Sequence, residues 1–433
     1  MSAITVIRNA RHWRTGEPFA LAFAAGRVIA LEQAGAGAQA IDANGAVLAP
    51  GLVDVHVHLR EPGQSARETI ATGTRAAAAG GFTDVLCMPN TDPVLDTPMS
   101  VEWVRARAAA VGHARVHPIA AVSVGQKGER LAPLAGLAAA GAIAFSDDGR
   151  PVRSAALMRR ALEEATALGR PVIAHEEDLD LAAGGVAHEG PMALKLGLPG
   201  IPPEAETVMV RRDIELAAAT GGRLHLAHLS AAGSFEALRD AHRRGLAVSG
   251  EVCPHHFVLT DEALDDYSTS AKMNPPLRSE ADRAAAVAAI ADGTVDCLCT
   301  DHAPHTAEDK RQTFDRAPFG IVGLETALAL TITYLVRPGH VTLARAIALW
   351  TESPRRLFGL PEATLEPGSP ADLVLFDPDA VWTVEPERFF SKGRATPFAG
   401  WRLAGRVLAT VCGGRVTHAD EALAASPALQ GSR

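Results

Sequence analysis

The run AVLAPGLVDVHVHL, residues 46–59, is the first of eight short apolar segments that recur along the middle of the chain. The other seven lie at residues 82–90, 115–123, 141–149, 170–178, 223–230, 246–256 and 295–305. Between them are longer, alanine-rich stretches with the composition of helices, at residues 64–79, 97–111, 154–168, 204–219, 231–244 and 280–291. Eight strand-and-helix repeats predict an α/β protein with a (β/α)8 TIM-like barrel.

The two ends of the chain have a different pattern. Residues 1–49 and 356–418 contain short alternating segments separated by glycine turns, such as FALAFAAGRVIAL and GRVLATVCGGRVTH. Alternation with glycine turns is typical of β-strands. We therefore expect both ends to fold together as a small β-sandwich domain beside a barrel of residues 50–355. Residues 419–433 are small and polar, and we expect them to be a flexible tail.

The composition excludes several classes of function. The formal net charge of −9 predicts no basic face for nucleic acid. No apolar run reaches the roughly 18 residues of a membrane helix, and the N-terminal segment lacks a signal-peptide core. The five cysteines are odd in number and scattered, which argues against a disulfide framework. We therefore expect a cytoplasmic protein without nucleic-acid or membrane partners.

Side chains that commonly bind metals stand at the ends of five predicted strands. His56 and His58 end the first strand, and their imidazoles face the same side because side chains alternate along a strand. The ends of the fourth, fifth, sixth and eighth strands carry further metal-binding types, namely Asp147 and Asp148, His175, His228 and Asp301. Catalytic groups of such barrels collect at the carboxyl ends of the strands, so we expect these side chains to meet.

Imidazole and carboxylate groups suit Zn²⁺ or a similar divalent ion. Four histidines and two aspartates exceed the needs of one catalytic ion, but they suit two ions bridged by a carboxylate. Asp147 and Asp148 are both candidates for the bridge. His225 competes with His228, but it begins its strand. For His255 and His256, after the seventh strand, a role in supporting the ligands and a purely structural role both remain open.

Together these motifs resemble a known family. DVHVHLREPG at residues 54–63 resembles the signature of dihydroorotases, in the cyclic amidohydrolase superfamily. The resemblance continues in the same order through MPNT (88–91), FSDDG (145–149), AHEED (174–178), LAHLS (226–230), EVCPHH (251–256), KMNPPLR (272–278), TDHAPH (300–305) and APFGIVGLET (317–326). It also includes PADLVLFD (370–377), similar to the β-sandwich half of that superfamily. No single motif is decisive, but the set is specific and covers nearly the whole chain.

The resemblance implies a role for each histidine at the strand ends. His56 and His58 match ligands of the more buried metal, and His175 and His228 match ligands of the second. Asp301 matches the ligand that also acts as the catalytic acid and base.

The resemblance also bears on the bridging group. Many relatives bridge the metals with a carboxylated lysine at the end of the fourth strand, where this chain has no lysine. Asp148 fits instead, as in bacterial type I dihydroorotases, and the family spacing favours it over Asp147. The implied cofactors are two Zn²⁺ per chain, bridged by Asp148 and a hydroxide.

The residues expected to hold the substrate follow from the same resemblance. Arg60 shares a strand face with His58, and its planar guanidinium matches a carboxylate in bidentate geometry. The alternative for Arg60 is a surface ion pair with Glu61. The resemblance implies the following substrate-binding groups: His58, Arg60, Asn90 and His305 near the carboxylate, with Asn274 and the backbone of Phe319 and Gly320 on the ring.

The implied reaction is the reversible hydrolysis of (S)-dihydroorotate, a small anionic pyrimidine, to N-carbamoyl-L-aspartate in pyrimidine biosynthesis. One alternative is a related cyclic amidase, namely a dihydropyrimidinase, hydantoinase or allantoinase. Another is a non-catalytic dihydroorotase-like scaffold for aspartate transcarbamoylase, which the six intact ligand positions disfavour. A homo-oligomer and a complex with the transcarbamoylase both stay open.

Residues 306–318 are polar and charged, and we expect a mobile loop that closes on the substrate.

Overall fold

The computed structural model describes residues 4–35 and 37–424. The N-terminal strands are β1 (Thr5–His12), β2 (Pro18–Ala24), β3 (Arg27–Ile29), β4 (Gln39–Asp42) and β5 (Val47–Pro50). The strands of the central region are β6 (Leu52–Val57), β7 (Phe82–Cys87), β8 (Arg115–Ala120), β9 (Ala144–Ser146), β10 (Val172–Ala174), β11 (Ala187–His188), β12 (Gly200–Ile201), β13 (Leu224–Leu226), β14 (Val248–Val252) and β15 (Cys297–Leu298). The C-terminal strands are β16 (Leu373–Thr383), β17 (Arg402–Cys412) and β18 (Arg415–Ala419).

Eight of these strands form the barrel among the described residues. They follow one another as β6-β7-β8-β9-β10-β13-β14-β15, and each neighbouring pair is parallel. A parallel bridge between Val57 and His302 joins the first strand to the segment after the last one. All residues of β6 and β7 are buried, as expected for parallel strands covered on both faces. The predicted fold class is confirmed, and each of the eight apolar runs contains one barrel strand.

The helices lie between and after these strands. They are α1 (Ile70–Ala79), α2 (Pro98–Val111), α3 (Leu134–Ala140), α4 (Ala155–Ala167), α5 (Pro191–Leu196), α6 (Glu204–Thr220), α7 (Ala232–Arg243), α8 (Pro254–Val258), α9 (Glu280–Ala291), α10 (Ala307–Lys310), α11 (Ala327–Thr331), α12 (Leu343–Trp350), α13 (Glu352–Phe358) and α14 (Glu421–Ala424). A π-helical turn follows α11 at Ile332–Val336. Within the described part of the chain, no helix is both long and apolar enough to cross a membrane.

Local sequence explains where several helices begin. Thr69 and Thr97 precede α1 and α2, and each side chain accepts a hydrogen bond from a backbone N–H of the first turn. Ser154 caps α4 in the same way. Such caps satisfy amide groups that a helix cannot pair internally. Each cap therefore fixes the point at which the chain leaves a strand-end loop and begins to pack against the barrel.

Both chain ends contribute to one mixed sheet beside the barrel. Its strand order is β18-β17-β16-β5-β1-β2-β3, with β4 also paired to β1. The antiparallel pair of β5 and β16 joins the two ends. The predicted boundaries at residues 50 and 355 stay predictions. Of the predicted flexible tail, residues 419–424 contain the end of β18 and helix α14, while residues 425–433 lie outside the described residues.

An ion-pair network connects the mixed sheet to the barrel. Asp84 of β7 accepts hydrogen bonds from Nε of Arg115 at 2.9 Å and from Arg355 at 2.8 Å. Arg115 also donates to Asp372, just before β16, at 3.0 Å. Burial acts to raise the pKa of Asp84, but His117 and the two arginines hold it well below its usual range. Asp84 is therefore a charged anchor at the amino-terminal end of the barrel.

Candidate metal centre

Asp148 lies between all four histidines that the sequence placed at strand ends. Its Oδ1 is 3.3 Å from Nε2 of His56, 3.7 Å from Nδ1 of His175 and 3.7 Å from Nε2 of His228. Its Oδ2 is 3.5 Å from Nε2 of His58. The two histidines of the fifth and sixth strands touch each other, with Nδ1 of His175 at 3.0 Å from Nε2 of His228. The barrel thus brings histidines from the ends of three other strands to one carboxylate.

Asp301 completes the cluster on the side of the first strand. Its Oδ1 lies 3.0 Å from Nε2 of His58 and 3.6 Å from Nε2 of His56. The backbone at Asp301 and at His228 has positive φ, at 45° and 33°. Residues other than glycine rarely have a positive φ, and those that do are concentrated at functional sites. Both residues follow the last residue of their strands, and their side chains reach the cluster.

The neighbouring carboxylate, Asp147, has other partners. Its Oδ1 accepts hydrogen bonds from the backbone N–H groups of Val122 at 2.9 Å and Ser123 at 3.0 Å, and its Oδ2 accepts from the Ser123 hydroxyl. Burial raises the pKa of Asp147 to about 6. Asp147 therefore fixes the loop after β8, and Asp148 alone of the two faces the histidines.

The donor set fits divalent metal ions. Among the described residues, four buried ring nitrogens and carboxylate oxygens of the cluster have no hydrogen-bond partner, namely Nε2 of His56, Oδ1 of Asp148, Nε2 of His175 and Nδ1 of His228. An unsatisfied buried polar atom costs about 1–3 kcal/mol, so four in one cluster call for a bound ligand. Imidazole nitrogens and carboxylate oxygens are the ligand atoms that zinc-type ions prefer.

Two polar residues orient the imidazoles of the first strand. Oδ1 of Asn90 accepts from Nδ1 of His58 at 2.8 Å, and Oε1 of Glu251 accepts from Nδ1 of His56 at 2.9 Å. Each contact places the proton on Nδ1 and leaves the Nε2 lone pair directed into the cluster, as a metal ligand requires. Glu251 also accepts from Nε2 of His225 at 3.1 Å. His225 therefore supports Glu251 and lies outside the ring around Asp148.

The sequence argument missed Glu251 and Asp54. Glu251 stands near the carboxyl end of β14, where catalytic groups of such barrels collect, and this position was the available signal. Asp54 is fully buried in β6, where its Oδ1 accepts from the backbone of His56 at 3.2 Å and of Thr300 at 3.1 Å. Asp54 thus ties the first strand to the segment that leads into Asp301.

Burial and neighbouring groups shift the pKa values of the side chains in the cluster. Burial acts to lower the pKa of His175, but the carboxylates of Asp148 and Glu177 raise it to about 10. Burial acts to raise the pKa of Asp148, but His56, His175 and His228 hold it well below its usual range. Without metal, protonated His175 would therefore pair with Asp148 and Glu177, and bound dications would displace its extra proton.

The residues predicted to hold a carboxylate lie on one side of this cluster. Arg60 is only 8% exposed, and its Nε donates to the carbonyl of Pro304 at 3.2 Å. One of its terminal nitrogens is 3.4 Å from Nε2 of His305. The surface-pair alternative for Arg60 does not fit this burial, and Glu61 accepts instead from the backbone N–H of Ile70 at 2.8 Å. Arg60 therefore lies buried next to His305.

Asn90 and Asn274 occupy opposite sides of the cluster. Besides its contact with His58, Asn90 donates to Oδ2 of Asp148 at 3.1 Å. Asn274 donates to Glu177 at 3.1 Å, and Glu177 in turn lies 3.5 Å from Nε2 of His175. Asn90 is therefore joined to the first-strand side, while Asn274 is joined to the histidine of the fifth strand.

The backbone of Phe319 and Gly320 approaches the carboxylate side. The carbonyl of Phe319 accepts from Nε2 of His305 at 2.8 Å. Gly320 has a φ of 126°, and a Cβ there would lie 3.0 Å from Nε2 of His305. Glycine at this position is thus required for the close approach. His255 and His256 are buried nearby, and His256 donates to the carbonyl of Pro275 at 3.0 Å, which supports the segment carrying Asn274.

The sequence is similar to two protein families and to curated proteins. A family model described as "Dihydro-orotase-like" matches residues 45–234, and one described as "Amidohydrolase family" matches residues 203–418. A curated dihydroorotase of Pelotomaculum thermopropionicum is 55% identical over 388 residues, covering 90% of this chain and 91% of the relative. One from Anaeromyxobacter dehalogenans is 56% identical over 386 residues, covering 89% of each.

Solved structures of cyclic amidases share the fold. The L-hydantoinase (dihydropyrimidinase) of Arthrobacter aurescens matches with a TM-score of 0.85 and 25% identity, covering 96% of both chains. A dihydropyrimidinase from Brevibacillus agri matches with a TM-score of 0.83 and 25% identity, covering 95% of this chain and 94% of its own. Because the curated relatives are more than half identical over about nine tenths of its length, this chain belongs to the dihydroorotase family.

Proposed function

We propose that this chain is a dihydroorotase that catalyses the reversible hydrolysis of (S)-dihydroorotate to N-carbamoyl-L-aspartate. The observation that carries the proposal is Arg60, buried beside His305 at the edge of a cluster of metal-ligand side chains. A buried guanidinium suits an anionic substrate, because its planar N–H groups match a carboxylate in bidentate geometry. The relatives that share about 55% of their residues with this chain carry the same activity in their names.

The proposed metal ligands are the six residues of the cluster. His56, His58 and Asp301 would hold one Zn²⁺, His175 and His228 would hold a second, and Asp148 would bridge them. When bound, two zinc ions would supply an activated water at neutral pH and polarise the carbonyl of the ring. Asn90 and Glu251 would keep the imidazoles of the first strand in the tautomer that binds metal.

Asp301 is the proposed acid and base. Its carboxylate lies in the cluster, 3.0 Å from Nε2 of His58, where it can reach a water held between the histidines. In hydrolysis it would take a proton from the attacking water and deliver it to the ring nitrogen as the amide bond breaks. In the reverse direction it would take that proton from the carbamoyl nitrogen. Water adds to the carbonyl and the ring opens, so atoms balance without another reactant.

The proposed substrate site extends from Arg60 to Asn274. Arg60, Asn90 and His305 would bind the carboxylate, while Asn274 and the backbone of Phe319 and Gly320 would bind the ring. His58 would contact the substrate from the metal side. Because Arg60 and Asn274 lie on different sides of the cluster, contacts with both would orient the reacting amide toward Asp301.

Related cyclic amidases are the principal rival because hydantoinases and a dihydropyrimidinase share the fold. The test is turnover of dihydroorotate against dihydrouracil, hydantoin and allantoin by one preparation whose zinc content is measured. We expect two zinc ions per chain and a strong preference for dihydroorotate. Preference for an uncharged ring would refute the substrate assignment. Metal-loaded protein with no turnover of any of the four would favour a non-catalytic scaffold for aspartate transcarbamoylase.

A further inference from the structure

Three consecutive backbone carbonyls, at Pro318, Phe319 and Gly320, are each held by a side chain of one neighbouring segment. The carbonyl of Phe319 accepts from Nε2 of His305 at 2.8 Å. The carbonyls on either side accept from Nζ of Lys310, that of Pro318 at 3.0 Å and that of Gly320 at 2.8 Å. Two side chains five positions apart thus fix a three-residue turn that faces the proposed substrate site.

Lys310 is unusual for a lysine in its burial and in its partners. It is 7% exposed, and its third hydrogen bond goes to the carbonyl of Lys272 at 3.3 Å. All three hydrogen bonds that its ammonium makes to described residues therefore end on backbone carbonyls. Burial and the nearby charge of Lys272 lower the pKa of Lys310 to about 7. Burying a charged ammonium group costs free energy. The position of Lys310 therefore indicates a role other than stabilising the fold.

Lys272 extends the same arrangement to the other side of the turn. Its carbonyl also accepts from the backbone N–H of Gly320 at 2.9 Å. Its ammonium donates to the carbonyls of Phe314 at 2.5 Å and Asp315 at 3.2 Å, and it lies 4.6 Å from the ring centroid of Phe319. The turn and the segment before it are thus attached at several points to two buried lysines.

The turn of residues 318–320 contacts a residue that is proposed to bind the substrate carboxylate. His305 is held by Phe319, and its Nε2 is 3.4 Å from Arg60. Burial, together with the charges of Arg60 and Lys310, lowers the pKa of His305 to about 3, which keeps the imidazole neutral. Any shift of the turn would move the carbonyl that fixes His305, and so would displace a side chain proposed to bind the substrate carboxylate.

We propose that Lys310 is a positioning residue for substrate binding, which fixes the turn of residues 318–320 so that His305 stays beside Arg60. The proposal rests on the proposed function, since it assigns Lys310 to the carboxylate side of that site. Lys310 acts through the turn and His305, since its ammonium donates to the backbone carbonyls on either side of Phe319. Lys272 holds the same turn from its opposite side.

The test compares Lys310→Met with wild-type protein and with Lys195→Met as the matched control, since the Lys195 side chain is 59% exposed on α5. We expect Lys310→Met to raise the KM for dihydroorotate about tenfold, with a change in kcat of less than about threefold. Binding of orotate, which carries the same ring carboxylate and is not hydrolysed, should weaken by a similar factor in calorimetry. Lys195→Met should leave KM and orotate affinity unchanged.

Two further measurements separate positioning from general stability. Amide hydrogen exchange of residues 311–320 should accelerate in Lys310→Met while the barrel strands keep their protection. A double variant with His305→Ala should lose less orotate affinity than the sum of the two single losses, because Lys310 acts in part through His305. Additive losses in the double variant would contradict the proposal, and so would an unchanged KM in folded Lys310→Met protein.

Failure of the inference is distinguishable from failure of the proposed function. Wild-type protein that does not hydrolyse dihydroorotate refutes the function, whereas active wild type with an unaffected variant refutes only the role of Lys310. Should Lys310→Met fail to fold, Lys310→Gln replaces it, because the amide is shorter and reaches fewer of the three carbonyls. A raised KM in that variant supports the proposal, and an unchanged one overturns it.

Discussion

Oε1 of Glu251 lies 2.9 Å from Nδ1 of His56, although 195 residues separate the two in the sequence. Both residues are fully buried, and they come from β14 and β6. Burial acts to raise the pKa of Glu251, but hydrogen bonds from His225 and His56 hold it below its usual range. An ionised carboxylate at this position orients the imidazole and increases its basicity toward a metal.

Replacing Glu251 by glutamine should therefore weaken metal binding. Loss of such a partner typically costs about 10–100-fold in metal affinity. Competition with a chromophoric chelator would measure the zinc affinity of Glu251→Gln against wild type. A suitable control is Glu163→Gln, since the Glu163 side chain is 46% exposed on α4. Equal zinc affinity of Glu251→Gln and wild type would show that Glu251 does not support the site.

The two adjacent aspartates should behave differently when each becomes asparagine. Asp148→Asn should reduce bound zinc to below two per chain, because an amide is a poor bridge between two cations. Asp147→Asn should keep the zinc but lower the thermal midpoint, since its carboxylate accepts from Val122 and Ser123. Metal analysis and thermal unfolding of both variants check this pair of expectations. Full zinc content in Asp148→Asn would exclude Asp148 as the bridge.

Arg60→Lys should impair substrate binding although it keeps the charge. Lysine presents a point charge and cannot form the two parallel hydrogen bonds of a guanidinium. A hydrogen bond to a charged group is worth about 1.5–3 kcal/mol, which corresponds to a rise in KM of roughly 10–100-fold. Steady-state kinetics with dihydroorotate measure the effect, with zinc content as the control for an intact centre. A wild-type KM would remove Arg60 from the carboxylate site.

Asp84 should contribute stability that depends on pH. Its folded-state pKa lies below the unfolded value of about 3.9. The contribution is therefore fully present above that unfolded value and is lost as the pH falls toward the folded pKa. Asp84→Asn leaves the buried guanidinium of Arg355 without its carboxylate, so we expect a loss of about 3–5 kcal/mol at pH 7.

Thermal unfolding between pH 7 and pH 2 checks the role of Asp84. The difference between wild type and Asp84→Asn should shrink as the pH falls below about 4. The exposed pair of Arg159 and Glu163 offers a control, since breaking it with Glu163→Gln should change stability by less than about 0.5 kcal/mol. A difference between wild type and Asp84→Asn that stays constant with pH would contradict the charged-anchor assignment.

The sequence by itself determined the barrel and the types of its candidate ligands. Apolar runs mark strands, and residues at their ends must meet at one face of a parallel barrel, so the grouping of His56, His175 and Asp301 follows from local pattern. The short helix α3 was not predicted, because its seven residues give too little periodicity.

Only the tertiary structure decided which neighbouring side chains face the cluster. Asp147 and Asp148 differ in direction because the loop after β8 supplies the N–H groups that bind Asp147. Glu251 and Lys310 depend on partners that are distant in sequence or on backbone carbonyls, and neither leaves a periodic pattern. Strand-end geometry and long-range contacts set these choices, and they arise only when the barrel closes.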